Sequence, residues 1–177
     1  MALKPTIYKL TLALSDLDRG VYESLNLTVA RHPSETLERM MVRVVAFCLN
    51  AQEGLSFCKG LSDSDEPDLW CHSLDGKLEL WVDVGEPAPE RIKKAARLAS
   101  AVKVYCFNHK ASTWWELNRV AFAALPNATI YQLQWPDVQA LAGLMGRSLD
   151  ASVTITDGTV YVASEAGECE LATSQLQ

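Results

Sequence analysis

A mixed α/β fold, in which a β-sheet is flanked by helices, is predicted by three observations. Alternating strands lie near both ends of the chain, a long helical stripe follows the first pair, and apolar strands alternate with helix-period segments in the middle. The chain has 177 residues, of which 49% are hydrophobic and 21% charged. That is enough to bury one core and short for two, so residues 1–177 read as a single domain.

Residues 6–14 alternate, with Tyr8, Leu10, Leu12 and Leu14 on one face. Val21 to Ala30 repeats the pattern after the turn-rich 15–20 segment, which predicts an antiparallel hairpin. His32-Pro33-Ser34-Glu35 then reads as a helix start with Ser34 as N-cap. Leu37, Met40, Met41, Val44, Val45, Cys48 and Leu49 recur at helical spacing over four turns, and Gly54 is the expected stop. Val42 and Phe47 add apolar surface elsewhere on that helix, so it should be covered from more than one side.

Short strands are expected at 55–59 and 68–71, and Asp75-Gly76 turns the chain into a strand at 78–84. In this strand Leu78, Leu80, Val82 and Val84 share one face, and Glu79, Trp81, Asp83 and Gly85 the other. Pro87 and Pro89 open a second helix to about Ser100, followed by an apolar strand at 101–107. A third helix at 112–125 stops at Pro126-Asn127, and a strand at 129–134 and a short helix from Pro136 follow. Asp157-Gly158 between two apolar runs predicts a closing hairpin.

Net charge is −6, but residues 1–110 sum to only −1 and residues 111–177 to −5. The overall acidity opposes tight non-specific nucleic-acid binding, which needs a broad basic surface. The apolar runs are far too short to cross a bilayer and the first residues form no apolar leader, so a cytoplasmic protein with no membrane role is expected. Five irregularly spaced cysteines fit reduced core residues rather than a disulfide framework. Cys71-His72 and Cys106 with His109 lack zinc-ligand spacing, Trp114-Trp115 reads as packing at a helix start, and no phosphate loop or serine-hydrolase elbow occurs.

Glu66-Pro67-Asp68 and, fifteen residues beyond Asp68, Asp83 form the most suggestive constellation. Neighbouring strands lie about 4.8 Å apart, so carboxylates on two of them can converge on one hard cation such as Mg²⁺. A bound Mg²⁺ polarises a phosphate and lowers the pKa of an attacking water, and a nearby cation stabilises the developing charge. The plain alternative is a solvated acidic loop at 63–68, with Asp83 half-buried beside a partner.

The order of helix, strand, Pro-Asp strand, acidic strand, helix and strand resembles the core of the PD-(D/E)XK nuclease superfamily. The blocks ALKPTIYKLTLALSDLDR, ARHPSETLERMMVR, EPDLW and WVDVGEP followed by RIKKA resemble, over essentially the whole chain, the YaeQ family of small bacterial proteins. The resemblance implies a restriction-endonuclease-like core with additional β-hairpins at both termini. It also implies Mg²⁺ on Asp68 and Asp83, joined by Glu66 and by Glu38 from the first helix. The superfamily lysine expected two residues after Asp83 is Gly85 here, so Arg91 and Lys94 on the next helix, with Lys93 close behind, are the substitutes. Two readings follow: a divergent Mg²⁺-dependent nuclease acting on nucleic acid, or an inactive binding or adaptor module that keeps the fold and takes a protein partner. The sequence leaves the oligomeric state open.

Overall fold

The computed structural model describes residues 3–59, 61 and 63–177. The elements run β1 (Thr6–Asp16), β2 (Val21–Arg31), α1 (Leu37–Leu49), β3 (Leu55–Phe57), β4 (Leu69–His72), β5 (Leu78–Val84), α2 (Pro89–Leu98), β6 (Ala101–Cys106), α3 (Ala111–Ala123), β7 (Ala128–Gln132), α4 (Trp135–Ala142), β8 (Ser148–Thr156), β9 (Thr159–Ser164), β10 (Gly167–Ala172) and β11 (Ser174–Gln175). The fold is α/β with two mixed sheets. They lie in two compact units, the first made of residues 1–51 and 136–173 and the second of residues 52–135 and 174–177.

In the first unit the hairpins from the two ends of the chain join in one five-stranded sheet, ordered β10-β9-β8-β1-β2. The joint is a parallel pairing of β1 with β8, from Lys9 opposite Ser148 to Asp16 opposite Ile155. The alternation sets the faces. Tyr8, Leu10, Leu12, Leu14, Leu25, Leu27, Val29, Val153, Ile155 and Val162 are buried, while Lys9, Thr11, Asn26 and Thr28 are exposed. At the expected Asp157-Gly158 turn both residues have positive φ, and their amides donate to the Asp18 carboxylate at 2.8 and 3.0 Å.

Helix α1 is buried nearly all round: Met40, Met41, Val42, Val44, Val45, Ala46 and Cys48 are at most 3% exposed. Its N-cap is Thr36 rather than Ser34, because the Ser34 hydroxyl is engaged by His32 Nδ1 at 2.6 Å in the preceding turn while Thr36 Oγ1 accepts from the Arg39 amide. The helix ends at Asn50, whose side chain donates to the Ala46 carbonyl at 2.8 Å. Gly54 instead turns the chain into β3. Its φ is +84°, and a Cβ there would lie 3.1 Å from the His72 carbonyl oxygen.

In the second unit the sheet order is β11-β7-β6-β5-β4-β3. Strands β5, β6 and β7 are parallel neighbours, and β4 and β3 extend the sheet antiparallel. Helix α2 makes the crossover from β5 to β6 and α3 that from β6 to β7. Ile92, Ala95 and Ala99 pack with Trp81, Val102, Val104, Phe122 and Ile130, and Trp114 and Trp115 lie against this core as expected. The Trp114 indole donates to the Pro87 carbonyl at the start of α2, and Asn127 donates to Ala96 and Ala99 at its end, so α2 and α3 run parallel.

All five cysteines are free, and Cys48, Cys71 and Cys106 are buried. Among the described residues no helix is long and apolar enough to cross a membrane. Burial pushes the thiols of Cys48, Cys58 and Cys106 up to about 12 and that of Cys169 up to about 11. In the unfolded chain these thiols ionise near about 8.5, so their neutral forms stabilise the fold fully only below that pH. The urea midpoint should hold between about pH 7 and 8 and fall as pH rises past about 9. A flat profile to about pH 10.5 contradicts this assignment.

Candidate functional site: an arginine-locked acidic centre

Antiparallel pairing sets Leu69 of β4 opposite Val82 of β5, and the Asp68 amide donates to the Val82 carbonyl at 3.0 Å. Asp68, one residue before Leu69, and Asp83, one residue after Val82, therefore lie at the same end of the two strands. Both are buried, at 4% and 3% exposure. A carboxylate this far from water needs donors or a counter-charge. Asp68 Oδ2 accepts the Val84 amide at 2.7 Å.

Asp83 is satisfied by Arg91, from the first turn of α2. The guanidinium grips it through two donors, Nε to Oδ2 at 2.7 Å and Nη2 to Oδ1 at 3.2 Å. Its remaining donors reach the acidic loop: Nη2 to the Glu66 carbonyl at 2.9 Å and Nη1 to the Ser64 carbonyl. The same guanidinium lies 5.5 Å from the centre of the Trp81 ring. Paired planar geometry of this kind is what distinguishes arginine from lysine. The hydrogen bond to Asp83 raises the Arg91 pKa against the opposing effect of burial, and the charges of Asp83, Asp68 and Asp65 add to the rise.

The other expected site residues are placed differently. Glu66 supplies its backbone carbonyl to Arg91, while its side chain accepts the Lys59 amide at 3.3 Å. Lys94 forms a surface pair with Asp65 at 3.6 Å rather than facing the carboxylates, and Lys93 is exposed. Glu38 lies on α1 in the other compact unit. The arginines near Glu38 in sequence clamp Glu35 instead: Arg43 bonds both of its oxygens at 2.8 Å and Arg39 one at 2.9 Å.

Four participants had no signal in the sequence for the part they play. The Ser64 and Glu66 carbonyls act through the backbone, which no side-chain pattern reveals. Cys58 sits where the charges of Glu66, Asp68 and Asp83 are all felt, and they add to the burial that raises its pKa. Trp81 was legible as a neighbour of Asp83 but not as a platform; its indole Nε1 is buried without a hydrogen-bond partner among the described residues.

The donor set can be tested against a divalent cation. Mg²⁺ requires oxygen ligands at about 2.0–2.1 Å in octahedral array. Here both Asp83 oxygens are engaged by a guanidinium that already supplies positive charge, Asp68 Oδ2 is taken by a peptide N–H, and the Glu66 side chain is bonded to Lys59. Among the described residues no three His, Cys, Asp or Glu side chains are grouped to hold an ion. As arranged, these side chains do not fit the metal.

Residues 1–173 match the family described as YaeQ protein. The chain belongs to the YaeQ family. It is 36% identical over 172 residues to the "Uncharacterized protein YaeQ" of Escherichia coli K12, covering 97% of this chain and 95% of that protein. The Salmonella typhi YaeQ is 36% identical over 178 residues, covering 100% and 98%. Among solved structures, the YaeQ crystal structure from Xanthomonas axonopodis pv. citri superposes with a TM-score of 0.94 at 37% identity and 98% coverage of both chains. That from Pseudomonas syringae gives 0.93 at 39% identity, covering 98% of this chain and 96% of the other.

Removing the Arg91 side chain leaves the Asp83 carboxylate buried without a counter-charge and releases the 64–66 carbonyls. Arg91→Ala should therefore cost about 2–4 kcal/mol in urea unfolding, below the full value for a buried pair because Arg91 is partly exposed. Lys94→Ala should change stability by less than about 0.5 kcal/mol. Equal effects of the two substitutions contradict the described geometry.

Proposed function

We propose that this member of the YaeQ family is a binding module, an adaptor for a protein partner built on a nuclease-like core, in which the acidic centre holds the fold together instead of performing catalysis. The observation that carries this reading is the two-pronged contact of Arg91 with Asp83, which puts a fixed organic cation where the superfamily pattern calls for a metal. Gly85 in place of the strand lysine supports it, since phosphate chemistry needs a cation beside the reacting group. The net charge of −6 also favours a protein partner over nucleic acid. Five free cysteines suit the reducing cytoplasm.

One observation favours the competing reading, a Mg²⁺-dependent phosphodiesterase using Asp68, Asp83 and Glu66 with Arg91 beside them: the first two carboxylates belong to neighbouring strand ends, where both charges bear on Arg91 and on Cys58. That reading requires Arg91 to leave Asp83.

The two readings separate in a cleavage assay on labelled single- and double-stranded DNA and RNA, with millimolar Mg²⁺ or Mn²⁺. The adaptor reading predicts no cleavage by the wild type above that of Asp83→Asn, and no rise in melting temperature on adding either metal. Metal-dependent cleavage that disappears in both Asp83→Asn and Asp68→Asn overturns it. Cleavage that persists in both variants marks a contaminant and leaves the wild type equal to its variants, as predicted.

A further inference from the structure

Strand β7 would end the parallel run of the second unit's sheet, but β11 and the residues after it, Ser174–Gln177, lie along its edge as a strap. The strap is held in three ways. Ser174 and Gln175 pair antiparallel with Gln132 and Tyr131. Beyond them the Leu176 amide donates to the Ile130 carbonyl at 2.7 Å, and the Ile130 amide donates to the Gln177 main-chain oxygen at 3.2 Å. The Leu176 side chain packs, partly buried, against the core that contains Phe122 and Ile130. The Gln177 side-chain amide donates to three convergent carbonyls, those of Phe122 at 2.8 Å, Ala128 at 3.1 Å and Leu125 at 3.4 Å.

Those carbonyls gather at the C-terminal end of α3, where the helix dipole is negative. No basic side chain lies in the last turn of α3, and residues 120–130 carry no charge. The strap gives them a neutral amide where the field favours a cation. Its hold is also short: two paired residues, no charged side chain, and Ser174 and Gln175 exposed. Segments with so few buried contacts open at low cost.

We propose that the strap is displaced by an extended segment of the protein partner, which adds to β7 as a strand and sets a leucine in the place of Leu176, followed directly by a lysine or arginine on the three carbonyls. This rests on the adaptor reading for the existence of a partner and goes beyond it in naming the surface and the chemistry. The strap shows what the edge accepts: main-chain pairing, one apolar side chain, then one donor. Charge complementarity selects the basic residue, since its head donates to the same carbonyls and adds the attraction of the helix end. The net charge of −6 disfavours a segment that carries carboxylates.

The strap is tethered at Thr173, whose amide bonds the Gly158 carbonyl, so it competes at an effective concentration of about a millimolar. The test therefore uses the full chain carrying Leu176→Ser, which empties the apolar place. Two C-terminally amidated peptides, Thr-Ser-Gln-Leu-Lys and Thr-Ser-Gln-Leu-Glu, are titrated against the NMR amide signals of Ile130 and Gln132. Hydrogen exchange at Ile130 should run at least about tenfold faster than in the wild type. The lysine peptide should shift both signals saturably, with a Kd at least about fivefold below that of the glutamate peptide and about tenfold below its own value on the wild type. Should Leu176→Ser unfold the chain, Gln177→Ala, which removes only the three side-chain bonds, takes its place with the same expectations. Unchanged exchange, no saturable shift by about 5 mM peptide, equal affinity for the two peptides, or equal affinity of wild type and variant each overturns the proposal. Neither metal nor Asp83 enters this titration, so the two failures are distinct: metal-dependent cleavage overturns the adaptor reading whatever the peptides do, and failed peptide binding without cleavage overturns this surface alone.

Discussion

The buried carboxylate of Asp83 is the constraint on which the second unit turns. A charge so far from water is stable only with a partner held in fixed geometry, and Arg91 satisfies it through two donors. The consequences spread through the arginine's other bonds. The loop carrying Ser64 and Glu66 is tied to α2, the first turn of α2 is aimed at the β4–β5 end of the sheet, and Trp81 lies beside the guanidinium. A centre that resembles a place for a metal in the sequence is, in the folded chain, a junction of three segments.

The same solution appears twice in the first unit. Asp16, 1% exposed, is held by Arg19 at 2.7 Å, and Arg19 spends its remaining donors on the Cys48 and Ala51 carbonyls at the end of α1. Glu35 is gripped by Arg43, which also donates to the Ala30 carbonyl on β2. In all three, a buried acid fixes a guanidinium whose spare N–H groups bind carbonyls of another segment. Carbonyls at helix ends, in loops and on an edge strand such as β2 have few backbone donors within reach, so the arginine supplies donors to them while it neutralises the acid. Asp83 with Arg91 therefore belongs to a structural pattern of this protein, which weighs toward the adaptor reading.

Local pattern made much of the architecture legible. The alternation of β1, the α1 stripe, the bounds of β5 and the Asp157-Gly158 turn follow from spacing alone. The parallel pairing of β1 with β8 does not, since it joins residues some 140 positions apart and depends on tertiary packing. β10 escaped because Gly167–Ala172 carries only Leu171 as a strongly buried apolar residue. At the site, the nearness of Asp68 and Asp83 at one end of neighbouring strands follows from strand spacing, and Arg91 was one of two substitutes until its contacts separated it from Lys94. Around Glu38, pairing follows three-dimensional reach rather than neighbourhood in sequence: the arginines close to it serve Glu35.

Whether Arg91 or a metal neutralises Asp83 in solution is most directly measured by NMR of the Arg91 Nε–H and Val84 amide signals during titration with paramagnetic Mn²⁺. A locked guanidinium predicts a slowly exchanging Nε–H signal and an intact Val84 amide at equimolar Mn²⁺. Selective loss of both signals at substoichiometric Mn²⁺ places the ion between Asp68 and Asp83 and contradicts the account.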